Sequence, residues 1–459
     1  MTLPGIAGIV LTIGMAVDAN VIIYERIREE VRVGKTLLAS INDGFKNSYS
    51  AIIDANVTTI LVAAVLFYFG LGPIKGFATV LIIGVLTSLF TAVLVGKMII
   101  DWWTKGERGM AFWTPPSKNL FSNLQIDWMG KRKIAYVISG VFLLVGLGSM
   151  FTKGFDLGVD FKGGYSYNIK FDDSKAVDAQ TLRNELTQEF GTEPVVKAVD
   201  TRNTFNVVTS YLINDNSDDA SNRAMEKLYD GLARISGATT TFNQFKDSEI
   251  PGEINLTSSS KVGPTIADDI KTSSLYAGLF SLLLIFLYIF IRFNKWQFSM
   301  GAVAALFHDS LIVLGLFSLL WNIVPISLEV NQAFIAAILT VIGYSINDTV
   351  IVFDRIREYL GIYTQKPVDE VLNMAINSTF SRTIITSVTT IVMLLPLFIF
   401  GGGNIKGFAF AIIIGILVGT YSSIFVATPI VRDLSKDLSM KSKKTVTKSS
   451  FSSAAESAK

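Results

Sequence analysis

The sequence predicts a polytopic α-helical membrane protein with nine transmembrane helices and one small α+β domain outside the bilayer. Half of the 459 residues are hydrophobic and only 17% are charged, a composition far from that of an average soluble domain. Nine apolar runs are long enough to cross a hydrocarbon core of about 30 Å, and one long polar segment separates the fourth run from the fifth. Most of the chain is therefore expected to lie in lipid.

We number the apolar runs as spans 1 to 9 in chain order. They cover residues 3–24, 50–70, 79–101, 134–152, 271–292, 297–321, 332–353, 382–400 and 406–430. Outside the long polar segment, most lysines and arginines lie in the connections between spans 1 and 2, 3 and 4, and 7 and 8. Short loops rich in these residues face the cytoplasm, so these connections are predicted on that side and the N-terminus is predicted outside.

The chain is predicted to divide into six parts. These are the first three spans (1–101), a cytoplasmic linker (102–133), the fourth span (134–152), a periplasmic domain (153–270), the last five spans (271–430) and a cytoplasmic tail (431–459). In the periplasmic domain, alternating runs at Tyr165–Phe171 and Phe205–Tyr211 predict strands, and patterns at Ala176–Phe190 and Ala220–Ile235 predict helices. Two strand–helix units indicate a ferredoxin-like α+β fold, whereas the lysine- and serine-rich tail is predicted to be disordered.

A long internal repeat links the two ends of the chain. Residues 14–29 align without gaps on residues 343–358, and the motif Ile-Lys-Gly-Phe-Ala occurs at both 74–78 and 405–409. Spans 1–3 thus repeat as spans 7–9 in the same direction, which predicts two halves related by an axis along the membrane normal. Because a span, an outer domain and two further spans precede only the second copy, we expect a twelve-span parent of which this chain holds the last nine.

The composition argues against several functions. The chain has no cysteine and a single histidine, which excludes disulfides, thiolate nucleophiles and Cys-ligated metal sites and leaves no cluster of histidines. It lacks a glycine-rich nucleotide-binding motif ending in Lys-Ser/Thr, and its net charge of +2 gives no nucleic-acid footprint. We therefore expect no catalytic site, no metal, no cofactor and no nucleic-acid partner.

Ionisable and amide side chains inside the spans are the candidate functional residues, because a charge inside a membrane is costly unless it meets a cavity or a partner. They are Asp18, Asn20, Asp54, Asn56, His308, Asp309, Asn347, Asp348 and Arg382. The alternative is that they join helices by hydrogen bonds, which is favoured for the three asparagines. Asp54 and the His308–Asp309 pair are equally consistent with a supporting role in the site and with a structural pair.

Asp18, Asp348 and Arg382 are the candidates for a proton relay. A carboxyl group that approaches and leaves a guanidinium changes its proton affinity as the helices move, and arginine stays charged throughout. We expect the three side chains to form one cluster between span 1 and spans 7 and 8, although Arg382 at the start of span 8 also suits snorkelling to the interface. The charged stretches Tyr24–Glu29 and Phe353–Glu358 are predicted to be solvated helix ends with local ion pairs.

Several motifs resemble those of the SecD–SecF family. The stretches GMAVDANV at 14–21 and DANVTT at 54–59 are similar to the C-terminal half of SecD. The stretches GVDFKGG at 158–164 and SINDTVIVFDR at 345–355, with His308-Asp309, are similar to SecF. The resemblance covers nearly the whole chain except residues 102–125 and the tail.

The resemblance implies an accessory subunit of the Sec channel, related to proton-driven transporters of the resistance–nodulation–division superfamily. Such a subunit uses the proton-motive force to promote late translocation and release of exported polypeptides, with Asp18, Asp348 and Arg382 as the proton pathway. The implied partners are a SecYEG-type channel, emerging unfolded polypeptides, protons, the lipid bilayer and a small YajC-like membrane subunit, at the bacterial inner membrane. Two alternatives stay open, namely a proton-coupled exporter of small molecules or lipids from the same superfamily and a purely structural scaffold for the channel.

Overall fold

The computed structural model describes residues 3–105, 109–113, 124–172, 177–199, 203–215, 217–237, 239–247, 252–324 and 326–435. Within these ranges, nine helices are long and apolar enough to cross a membrane. The predicted polytopic helical class is therefore confirmed. The part of the predicted tail after residue 435 and much of the predicted linker lie outside the described residues.

The first three membrane helices pack against one another as one bundle. They are α1 (Leu3–Arg32), α2 (Leu37–Phe69) and α3 (Pro73–Thr104). The Thr36 side chain caps α2 by accepting a hydrogen bond from the backbone N–H of Ala39, which satisfies one of the free donors at the start of a helix. Each helix is longer than its apolar run, because the run marks only the residues suited to lipid.

Helix α4 (Arg132–Thr152) leads into the α+β domain. The domain consists of α5 (Val159–Lys162), β1 (Gly164–Phe171), α6 (Ala179–Phe190), β2 (Val195–Ala198), β3 (Thr204–Thr209), α7 (Ala220–Ser236), α8 (Phe242–Lys246) and β4 (Ile254–Val262). Its sheet has the order β2-β3-β1-β4 with antiparallel neighbours. The succession β1-α6-β2-β3-α7-β4 in this order is the ferredoxin-like topology, so the predicted α+β architecture is confirmed.

The core of this domain lies between the sheet and the helices α6 and α7. Alternate residues of β1 are buried, as expected for a strand with one face on the core, and they meet leucines spaced along both helices. These residues are Tyr165, Tyr167, Ile169, Phe171, Leu182, Leu186, Leu228 and Leu232. Strands β2 and β4 were not predicted, because β2 has only four residues and most of β4 is exposed without alternation.

The remaining membrane helices complete the bundle. They are α9 (Pro264–Phe293), α10 (Trp296–Leu320), α11 (Gln332–Ile362), α12 (Val368–Phe400) and α13. Helix α13 consists of Gly403–Ser422, a π-helical turn at Ser423–Ala427 and a last α-helical part at Thr428–Leu434. Helix α9 begins at Pro264, inside the range predicted for the outer domain. The prediction that Arg382 lies at a helix start is wrong, since α12 begins at Val368 and places Arg382 near its middle.

The predicted repeat appears as matching packing in the two halves. Gly14 of α1 contacts Thr390 of α12, and its counterpart Gly343 of α11 contacts α2 beside Val62. A side chain at Gly14 would press on α12, with 3.2 Å between its Cβ and Thr390 Cγ2, whereas a Cβ at Gly343 would make an ordinary contact with Val62 at 3.7 Å. The first helix of each repeat therefore packs on the second helix of the other repeat, as a pseudo-twofold axis requires.

The α+β domain is joined to the membrane helices at the start of α11. Leu157 and Val330 form a parallel bridge, and Gly158 donates a backbone hydrogen bond to Val330 O at 2.9 Å. Lys197 on β2 pairs with Asp156 at 2.6 Å and with Glu329 at 3.1 Å. These contacts connect the sheet of the domain directly to the loop that enters α11.

Candidate functional site

The interface between the two repeats holds the main polar cluster of the membrane region. Asp18 lies on α1, Asp348 on α11 and Arg382 on α12, and their charges interact with one another. Asp18 is 6% exposed and Asp348 is 4% exposed. Helices far apart in the sequence thus bring together the three side chains that the sequence singled out for a proton relay.

The cluster is loosely connected. Asp18 Oδ1, Asp348 Oδ2 and Arg382 Nε are each buried without a hydrogen-bond partner within the described residues. A buried polar atom without a partner is destabilising, so each such atom in a native structure calls for an explanation, of which a functional role is one. The arrangement gives one guanidinium two carboxylates to choose between.

Hydroxyl groups line one side of this cluster. Tyr344 lies one turn before Asp348 on α11, interacts electrostatically with Asp18 and Asp348, and donates a hydrogen bond to Thr390 Oγ1 at 3.3 Å. Ser387 shares a hydrogen bond of 2.6 Å with Thr420 of α13. Tyr344 was not among the residues predicted from the sequence, although its spacing of four residues from Asp348 puts both on one helix face.

Asp54 lies in a separate cluster. Tyr288 donates to Asp54 Oδ1 at 2.8 Å, and Arg292 donates to Asp54 Oδ2 from Nε at 2.7 Å. Arg292 also donates to Ser50 Oγ at 2.8 Å and lies 3.4 Å from Asp354. Of the two roles left open for Asp54, this geometry favours the structural pair, which joins α2 to α9.

His308 and Asp309 form a third polar group, on α10. His308 Nδ1 lies 2.9 Å from Asp309 Oδ1. Asp309 Oδ2 accepts hydrogen bonds from Ser345 at 2.6 Å and from Ser422 at 2.8 Å. The carboxylate is thus satisfied by α11 and α13, while His308 Nε2 is buried without a partner in the described part of the chain.

The amide donors of Asn20 and Asn56 bond within their own helices. Asn20 Nδ2 donates to Ala16 O at 3.3 Å and Asn56 Nδ2 donates to Ile52 O at 2.7 Å, both within their own helices. Asn347 Oδ1 is buried without a partner among the described residues. The favoured alternative of interhelical hydrogen bonds therefore finds no support for Asn20 and Asn56.

The charged stretches at the ends of α1 and α11 form cross-repeat ion pairs as well as local ones. Arg355 pairs with Glu29 at 2.7 Å and Arg26 pairs with Glu358 at 3.7 Å. The prediction of solvated ends with local pairs is therefore incomplete. A cavity of about 100 Å³ lies between these charges and Arg382.

The fold and this cluster define a class of protein, namely a polytopic membrane protein in which two parallel repeats enclose a charged interface. The family model "Protein export membrane protein SecD/SecF, C-terminal" matches residues 1–106 and 243–437, and the model "SecD/SecF GG Motif" matches residues 148–175. The chain belongs to the SecD/SecF family. This confirms the family that the sequence motifs indicated.

Similar proteins differ in how much of their length this chain covers. Protein translocase subunit SecF of Rhodothermus marinus is 45% identical over 315 residues, or 69% of this chain and 95% of that protein. Protein translocase subunit SecDF of Brucella abortus is 33% identical over 431 residues, or 94% of this chain and 53% of that protein. The crystal structure of SecDF, a translocon-associated membrane protein, from Thermus thermophilus has a TM-score of 0.80 at 37% identity and covers 94% of this chain and 55% of that one. The chain therefore spans about half the length of the SecDF relatives.

Proposed function

We propose that this chain is a non-catalytic accessory subunit of Sec-dependent protein export that uses the proton-motive force through Asp18, Asp348 and Arg382. The observation that carries the proposal is the buried group of two carboxylates and one guanidinium at the interface of the repeats. The names of the relatives, protein translocase subunits, support the export role. The proposed setting is the bacterial inner membrane, with the α+β domain in the periplasm and a SecYEG-type channel as the partner.

Protonation of one carboxylate is the proposed input. A neutral carboxyl no longer attracts Arg382, so the guanidinium moves toward the carboxylate that is still charged. Because Asp18 and Asp348 lie in different repeats, this exchange shifts one repeat against the other. If Arg382 were fully hydrogen-bonded to one carboxylate, those bonds would hold it in place. The atoms without hydrogen-bond partners in this cluster do not oppose the exchange in that way.

Helix α11 is the proposed connection to the export substrate. Asp348 lies sixteen residues after Gln332, or about 24 Å along an α-helix. The backbone N–H of Gln332 donates to Asp160 Oδ2 at 2.9 Å, and the preceding loop contacts the α+β domain through Glu329 and Lys197. A movement of α11 at Asp348 is thereby passed to a domain that is proposed to contact the emerging polypeptide.

The test is export of a reporter preprotein in vesicles that also supply the Sec channel and an upstream SecD-type half. We expect Asp348→Asn to remove the part of export that depends on the proton gradient, because the amide keeps the shape but carries no proton. Asp268→Asn is the matched control, since Asp268 is an exposed carboxylate at the outer end of α9 that pairs with Lys271. Gradient-dependent export by Asp348→Asn equal to that of the parent, at equal protein levels, would refute the proposal.

A further inference from the structure

Four charges form a ring across the repeat interface, at the end of the bundle opposite the α+β domain. Arg26 and Glu29 lie on α1, and their counterparts in the repeat, Arg355 and Glu358, lie on α11. Within each helix the arginine pairs with the glutamate, at 2.7 Å on α1 and 3.2 Å on α11. Between the helices, Arg355 pairs with Glu29 at 2.7 Å and Arg26 pairs with Glu358 at 3.7 Å. Each residue thus has a partner in its own repeat and one in the other, and Arg26 also lies 3.8 Å from Glu30.

The ring stands between that end of the bundle and the buried site. All four residues line the cavity of about 100 Å³ whose wall also includes Arg382. Thr379, one turn before Arg382 on α12, is 4% exposed and lines the same cavity. A water molecule or proton that reaches Arg382 through this cavity passes beside the ring.

The other charged residues of the cavity wall have partners outside the ring. Glu25 pairs with Arg28 at 2.5 Å. Asp354 pairs with Arg357 at 2.5 Å and lies 3.4 Å from Arg292. The four ring residues are therefore the charges that connect the repeats at this point.

We propose that the ring of Arg26, Glu29, Arg355 and Glu358 is a gate that controls the access of water from this end of the bundle to Arg382. The inference rests on the proposed proton pathway, for which such an access route is required. Its pairs are partly exposed, and exposed ion pairs are individually weak. A small displacement of one repeat against the other would therefore suffice to open the gate, and the reciprocal pairs would close it again.

Cysteine labelling tests the gate without measuring export. The chain has no cysteine, so Thr379→Cys adds a single thiol inside the cavity. A membrane-impermeant maleimide is added to the face opposite the α+β domain, in vesicles that contain the full chain. We expect a labelling rate several-fold higher when Glu29→Gln and Arg355→Gln are added, because the closer cross-repeat pair loses both charges and each local pair of the ring loses one.

Two further variants make the result specific. Inversion of all four charges, with Arg26→Glu, Glu29→Arg, Arg355→Glu and Glu358→Arg, keeps every attraction in the ring and is expected to restore slow labelling. Lys366→Gln is the matched control, because Lys366 pairs only locally with Glu370, at 2.5 Å.

Three results would overturn the gate. They are unchanged labelling in the Glu29→Gln, Arg355→Gln variant, an equal rise with Lys366→Gln, and fast labelling in the inverted ring of a protein that still elutes as a folded species in detergent. The export experiment with Asp348→Asn is independent of these results. Its failure would remove the proton pathway whether or not the ring limits labelling.

Discussion

The ion pair between Asp54 and Arg292 predicts a loss of stability when Asp54 is changed. Asp54 accepts one hydrogen bond from Tyr288 and is bonded to Arg292 through Nε and Nη2, with distances of 2.8, 2.7 and 2.6 Å. Its side chain is 9% exposed and that of Arg292 is 21% exposed. Asp54→Leu removes all three contacts and leaves the arginine charge half-buried between α2 and α9.

The magnitude follows from what Arg292 retains. Removing one partner of a buried ion pair costs about 3–5 kcal/mol. Arg292 keeps Ser50 and the distant Asp354 as partners, so we expect about 3 kcal/mol for Asp54→Leu, the lower end of that range. Asp54→Asn keeps one acceptor oxygen, which can serve Arg292, and its amide nitrogen can donate to the Tyr288 hydroxyl. We expect it to lose about 1–2 kcal/mol with the charge-assisted part of the bonds.

The assay is thermal unfolding of the purified chain in detergent, read as the apparent midpoint. Because membrane proteins commonly unfold irreversibly, the variants are compared by rank at one heating rate. We expect the midpoint to fall in the order parent, Asp54→Asn, Asp54→Leu, while gradient-dependent export by folded Asp54→Asn persists. An unchanged midpoint for Asp54→Leu would refute the structural role. Loss of gradient-dependent export in a stable Asp54→Asn protein would also refute it and would place Asp54 in the proton pathway.

Two further predictions concern the junction of the α+β domain with the membrane helices and the packing of the repeats. Burial lowers the pKa of Lys197, but Glu329 and Asp156 together raise it by more, so the pKa is raised overall. The contribution of the Lys197 charge should therefore be complete at neutral pH and be lost on the alkaline side as the pH rises through the raised pKa. Lys197→Met should speed hydrogen exchange around Gly158 and Val330 at neutral pH, and unchanged exchange would contradict the contact. A side chain at Gly415 would overlap Val341 of α11, so Gly415→Val should destabilise the protein by about 1–3 kcal/mol and lower its thermal midpoint. Gly278→Val is the control, because a side chain at Gly278 meets open space, and it should leave the midpoint unchanged. Equal midpoints for the two variants would disprove the close approach at Gly415.

The repeat was the most informative feature of the sequence. Residues 14–29 and 343–358 share a pattern of glycine, polar and apolar positions, and the glycines of this pattern lie at helix contacts. Gly14 and Gly343 lie where the first helix of one repeat approaches the second helix of the other. Since the helices of a parallel repeat occupy equivalent depths, the sequence was sufficient to predict that Asp18 and Asp348 would lie near each other.

Other features depend on information that a hydropathy pattern lacks. Hydropathy marks the part of a helix suited to lipid, so the polar first turns of α12 were missed and Arg382 was placed at a helix start. Strand β4 follows no alternation because its middle residues are exposed. The cross-repeat ring was missed because Arg26 and Glu29, three residues apart, are expected to form a local ion pair. Only the three-dimensional structure shows that each also pairs with a residue of the other repeat.

The π-helical turns at Thr91–Val95 of α3 and Ser423–Ala427 of α13 have a consequence for the history of the protein. They fall within one residue of matching places in the two repeats. A π-helical turn arises when one residue is inserted into an α-helix, and two independent insertions at the same place would be a coincidence. The simplest account is that a single ancestral half already carried the insertion before its gene was duplicated. The π-helical turn is then older than the differences in side chains between the halves. The carboxylates at Asp18 and Asp348, which lie one position out of register, diverged after this backbone feature was present in both halves.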